Sequence, residues 1–215
     1  GLIHARLFET EHYFDLVGSL TYITVTVLAI QQATEIGLRQ QIIAGVVIVW
    51  AARLGPFLFR RIQKAGEDRR FRKIKLSTPR FLVTWTLQGT WVFLTAGAAL
   101  AAIMTPNTAS LGTLFYVGAA MWIVGFSVEV IADNQKSTFK ADPANENKFI
   151  TTGIWARAQH PNYFGEILLW TGVAVMALPS LSGNAMIFLI SPIFVAVLLT
   201  RISGVPLLRK TAGAR

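Results

Sequence analysis

The chain has 215 residues, 53% of them apolar and only 14% charged, with a mean hydropathy of +0.50. That leaves too little polar surface for an ordinary soluble domain and places the chain in a membrane. In so apolar a chain, the formal charge of +9 points to basic loops beside anionic lipid headgroups and away from nucleic acid. Without a cysteine, disulfides, thiolate catalysis and cysteine-ligated metals are excluded, and none of the three histidines (His4, His12, His160) has another at metal-ligand spacing.

The chain opens at Gly1, as a processed or partial product would, and no secretory leader is visible. The first apolar segment, 13–36, is long enough at about 1.5 Å per residue to cross a core of about 30 Å. It carries Asp15 near its start and Tyr22 two turns on. Asp15 is either an acid favoured by the helix dipole or a buried acid that donates to a substrate. The second segment, 41–59, holds Arg53 just before Gly55 and Pro56. That arginine either snorkels to the headgroups or turns inward to hold a phosphate or carboxylate. The 60–80 loop follows, with nine Lys or Arg against two acids, and belongs on the positive-inside face.

The third segment, 81–104, carries one amide, Gln88. An uncharged T-P-N-T-A-S turn leads to the fourth, 111–132. The fifth starts near Asn162 and ends before Pro179, and the sixth spans 183–199. The expected architecture is an all-α, polytopic integral membrane protein of six transmembrane helices, one membrane-embedded domain over residues 1–215. It puts the N-terminus, the 60–80 loop, the 133–160 connection and the tail on one side, and these regions hold 18 of the 20 Lys and Arg residues. The expected setting is a bacterial inner membrane or an organellar membrane, with the basic loops in the cytoplasm or matrix.

The chemistry concentrates in residues 129–166, between two apolar segments. Polar groups this close to hydrocarbon call for a ligand or a mutual network. Glu129 and Asp133 are four apart and share a helix face, where two ionised acids repel. Lys136 and Lys140 continue the spacing, so the series is either a surface ladder or part of a site. In His160-Pro161-Asn162-Tyr163 the proline starts a helix whose first N–H groups suit an anion, with Glu166 one turn beyond Asn162.

A-D-N-Q-K followed by G-I-W-A-R-A-Q-H-P-N-Y-F-G-E-I-L-L-W-T-G resembles the C-terminal signature of the steroid 5α-reductase family, above all its bacterial members. R-L-G-P-F-L-F-R-R-I, G-E-D-R-R-F, L-Q-G-T-W and F-D-L-V-G-S-L-T-Y are similar to earlier segments of that family, so the resemblance covers most of the chain. It implies a membrane enzyme that moves a hydride from NADPH to a carbon-carbon double bond conjugated to a carbonyl. The cofactor would lie in a cavity open to the cytoplasm, and a lipid-like substrate would enter from the bilayer.

On that resemblance Glu129 stands at a polar cofactor-binding position, Asp133 at the motif aspartate and Lys140 in place of a phosphate-binding cation. Asn162 and Glu166 match the N-Y-F-G-E-like motif, and His160 and Tyr163 its bacterial form. Arg53 and Arg157 complete the expected cofactor-binding set. The chain departs from the family at Phe57 and Phe59, where a carbonyl-polarising tyrosine is expected, which leaves Asp15 and Tyr22 as catalytic candidates. It departs again past G-V-P-L-L, with Arg209 instead of an acid and a short tail.

Two alternatives stand beside the reductase. One is an S-adenosylmethionine-dependent methyltransferase resembling the isoprenylcysteine carboxyl methyltransferases, which share an H-P-x-Y-x-G-like segment. The other is a non-catalytic subunit of a membrane complex, its partners unknown, that keeps the reductase fold. On the six-span topology, a cysteine introduced at Asn107 is labelled by an impermeant reagent from the side opposite to one at Gly66; labelling from the same side refutes it.

Overall fold

In hydrocarbon every backbone N–H and C=O needs an internal partner, and a helix supplies one within its own segment. The computed structural model describes residues 12–68, 71, 74, 77–106, 111–146 and 148–202, and among these there are helices and turns but no strand. Six helices are long and apolar enough to cross a membrane: α1 (Phe14–Gln32), α2 (Leu38–Ala65), α3 (Thr78–Met104), α4 (Thr113–Ala141), α5 (Pro161–Ser180) and α6 (Gly183–Ile202). The expected all-α, six-span membrane architecture is therefore the observed one. His4, Asn107, Arg209, the G-V-P-L-L segment and parts of the 60–80 loop lie outside the described residues.

Two compact units form, Gly1–Thr108 and Ala109–Arg215. In the first, α1, α2 and α3 pack against one another. Gly55 brings α2 close to α1, because a Cβ there would lie 2.6 Å from the Cβ of Ser19. Gly18 likewise leaves room for Gln88 of α3, whose Nε2 donates to the Phe14 carbonyl at 2.7 Å. At this end Phe14 meets Phe71 at 4.8 Å and Trp85 at 5.1 Å, and Phe81 completes the cluster, so the basic 60–80 loop is fastened to the helices through Phe71. At the other end the buried Gln40 accepts the Gly37 N–H at 3.1 Å and donates to the Thr105 carbonyl at 3.4 Å. Glycine has no side chain to return the bond, so Gln40 forms half of a capping box and ties α2 to the end of α3.

The second unit is built on α4 and α5, which run antiparallel with almost nothing between their backbones. Gly118 and Gly125 of α4 face Gly172 and Gly165 of α5. A Cβ at Gly118 would lie 2.6 Å from the Gly172 carbonyl, and one at Gly165 would lie 2.6 Å from the Gly125 carbonyl. Each pair of glycines is seven residues apart, two helical turns, so all four fall on one seam. Leu169, Trp170, Val173 and Met176 are buried along the same helix.

Two helices outrun the hydropathy pattern. α2 extends past residue 59 to Ala65, and α4 continues past residue 132 to Ala141. The 29 residues of α4 measure about 43 Å, longer than a hydrocarbon core of about 30 Å, so its last turns stand outside the core. Charge does not oppose a helix there, and A-D-N-Q-K is helical, not a loop. Pro143 ends it: Asp142 is extended, and its carboxylate accepts the Ala144 N–H at 2.9 Å.

α6 begins as a 3-10 helix over Gly183–Ile190, becomes α-helical over Ser191–Val197 and ends in a π turn over Leu198–Ile202. Pro192 has no N–H to offer the Phe188 carbonyl, which accepts the Ser191 N–H instead, so the change of winding falls where the α ladder would be broken. Ser191, Val195 and Leu199 form its buried stripe. Threonines on the spans satisfy their own hydroxyls: Thr26 donates to the Tyr22 carbonyl and Thr171 to the Ile167 carbonyl.

Adding a methyl group at Gly125 or Gly165 forces backbone apart and is expected to cost about 1–3 kcal/mol. Gly89 of α3 has open space around its missing Cβ, and Gly89→Ala should gain about 0.5–1 kcal/mol from helix propensity. Unfolding of the detergent-solubilised variants measures both. Equal effects at the seam and at Gly89 would contradict this account of the packing.

Candidate functional site

The glycine seam leads directly to the acids. A Cβ at Gly165 would lie 2.7 Å from the Glu129 backbone nitrogen, so Glu129 sits against the opening turns of α5. Its side chain is buried, at 2% exposure, and Asp133, one turn towards the basic end, is 7% exposed. Both engage in polar interactions within the protein. Two acids on one face of a helix beside hydrocarbon are costly, which makes this region the candidate site.

α5 starts at Pro161, whose missing N–H costs nothing at the first helical position. The Phe164 N–H already donates to the His160 carbonyl at 3.1 Å, whereas the N–H of Asn162 lies in the first turn, where no intrahelical acceptor exists. The imidazole of His160 stacks on the ring of Tyr163, centroids 5.3 Å apart and 25° from parallel. Asn162 Oδ1 is buried and accepts no hydrogen bond among the described residues. An acceptor left so is costly unless a ligand supplies the donor.

The connection between the two helices is held down by its own contacts. Gln135 Oε1 accepts the Ile154 N–H at 3.1 Å, and Trp155 Nε1 donates to the Ala132 carbonyl at 3.0 Å in a buried contact. The ammonium of Lys136 stands 4.6 Å above the Trp155 ring, a cation-π pair. These contacts were not foreseen. Their only signal in the sequence is the glycine of T-T-G-I-W, which adopts φ +60° beneath the Gln135 amide.

Of the expected site residues, Glu129, Asp133, Lys140, Arg157, His160, Asn162, Tyr163 and Glu166 belong to the second unit. Lys140 is exposed on the last turns of α4, Arg157 is exposed just after the Gly153–Ala156 turn, and Glu166 is half-buried one turn into α5. Acceptors thus lie inward and cations outward. Arg53, Asp15 and Tyr22 belong to the first unit. Arg53 lies over the Phe57 ring at 4.9 Å on its own helix, which gives that phenylalanine a structural task. Asp15 is half-buried in the first turn of α1, and the Tyr22 ring meets Trp50 of α2 edge-on at 5.0 Å. Asp15 and Tyr22 stand two turns apart, about 10 Å along the axis. Among the described residues there is no cluster of His, Asp and Glu that could hold a metal ion.

No curated protein and no solved structure matches the chain. A family profile does match, over residues 2–215, and by that match the chain belongs to the family described as protein of unknown function, DUF1295.

Proposed function

We propose that the protein is an NADPH-dependent membrane reductase, related to the steroid 5α-reductases, that reduces the conjugated carbon-carbon double bond of a lipid-like enone. The observation that carries the reading is the buried acceptor of Asn162 at the opening of α5, next to the turn that packs on Glu129. Asn162 Oδ1, with the Glu129 and Asp133 carboxylates, makes a set of acceptors suited to a ligand rich in hydroxyl and amide N–H groups. A dinucleotide offers such groups on its riboses and carboxamide. The first N–H groups of α5, with Lys140 and Arg157, suit its phosphates.

When bound, NADPH supplies the hydride. The protein's own task is to bind and orient it, and to stabilise the negative charge that grows on the enone oxygen as the hydride adds to carbon. That oxygen needs a hydrogen-bond donor held in place beforehand in an apolar setting. The carboxylic acid of Asp15 and the hydroxyl of Tyr22 are the proposed donors, and Phe57 and Phe59 leave no hydroxyl at the position where the resemblance expects one. The lipid-like substrate is proposed to reach the site from the bilayer.

Binding of NADPH, NADH and S-adenosylmethionine to the purified, detergent-solubilised chain tests the reading. NADPH should bind tightest, and binding of S-adenosylmethionine alone would favour the methyltransferase. Asn162→Ala should weaken NADPH binding by about 1–3 kcal/mol, since it strips a ligand donor of its partner. Asp15→Leu, which removes the donor, should leave NADPH affinity in place while enone-dependent NADPH oxidation collapses. Full turnover in that variant removes Asp15 from the reaction, and NADPH binding with no turnover on any lipid enone favours the non-catalytic subunit.

A further inference from the structure

Within the A-D-N-Q-K run, Gln135 is among the residues to which the cofactor reading assigns no task. Gln135 points its amide at the Gly153–Ala156 turn, and the turn is shaped to receive it. Gly153 adopts φ +60°, a conformation that favours glycine, and a Cβ there would lie 2.5 Å from Gln135 Oε1. The neighbouring Ile154 N–H donates to that oxygen at 3.1 Å. Trp155 then donates to the Ala132 carbonyl and lies under Lys136. Ala132, Gln135 and Lys136 share a helix face by their spacing of three and four, so one face of α4 grips three consecutive residues of the turn.

From that grip the chain has five residues, 156–160, in which to reach Pro161, where α5 begins. The position of the turn therefore limits where His160 and Asn162 can stand relative to Glu129 and Asp133. The geometry points to Gln135 as a positioning residue of the candidate cofactor site: by holding the Ile154 N–H it fixes the chain that leads into His160 and Asn162, and so sets cofactor affinity through them. This inference rests on the NADPH reading above.

The role belongs to an acceptor oxygen, which separates it from mere packing. Gln135→Glu keeps an oxygen for the Ile154 N–H; Gln135→Met keeps the length and loses the acceptor. Hydrogen exchange over residues 153–165 and NADPH affinity are measured on both, after gel filtration and circular dichroism establish that each is folded. Gln135→Met should speed exchange in the turn and weaken NADPH binding about fivefold to tenfold, the worth of one hydrogen bond. Gln135→Glu should stay within about twofold of the unaltered chain in both, since its acceptor remains.

If Gln135→Met does not fold, Gly153→Ala takes its place, because the added methyl group displaces the same amide. Unchanged exchange in the turn overturns the grip. Faster exchange with unaltered NADPH affinity overturns the positioning role, as does an equal loss in the Met and Glu variants. If the unaltered chain binds no NADPH, the cofactor reading itself falls and takes this inference with it.

Discussion

The second unit depends on the near absence of side chains between α4 and α5. Inside a bilayer the hydrophobic effect gives helices no reason to associate, since lipid tails are as apolar as leucine. What remains is close contact, and four glycines allow the backbones to touch over two turns, where Cα–H groups meet facing carbonyls. The contact is also a ruler. With Gly125 set against Gly165, the next turn of α4 must bring Glu129 to the first turns of α5, and Asp133 follows one turn further towards the C-terminal end of α4. The placement of the acids is thus a product of the helix packing.

That placement explains the order of charge along α4. Acids nearest hydrocarbon are buried, whereas Lys140, beyond them, is exposed. Lys136 is intermediate, with its ammonium against an indole face. A cation so held loses less on partial burial than one with only hydrocarbon beside it. Reversing the order would bury ammonium groups on long, rotamer-rich stems and leave the carboxylates in water.

The spans could be read from the sequence because long apolar runs have few other uses, and the start of α5 at Pro161 because proline punctuates helices. The extensions of α2 and α4 were hidden because hydropathy reports only the part of a helix inside hydrocarbon. Gln88 could be seen as an isolated amide, but its bond to the Phe14 carbonyl depends on a neighbouring helix. The glycine seam was invisible for the same reason: a repeat of seven on one helix acquires meaning only opposite a repeat of seven on another. At the candidate site the residue types were legible. The grip of Gln135 on the Gly153 turn was not, since it depends on a positive φ and a contact between residues 19 positions apart.

The 3-10 winding at the start of α6 affects how the last span meets the bilayer. A 3-10 helix rises about 2.0 Å per residue against about 1.5 Å for an α-helix, so the eight residues from Gly183 to Ile190 cover about 16 Å instead of about 12 Å. None of those eight is buried, so protein packing does little to hold the tighter winding in place. Converting them to α-helix would shorten the span by about 4 Å, comparable to the difference in hydrocarbon thickness between a thin and a thick biological membrane. A rewinding of that end would change the length of the span without altering the glycine contacts between α4 and α5.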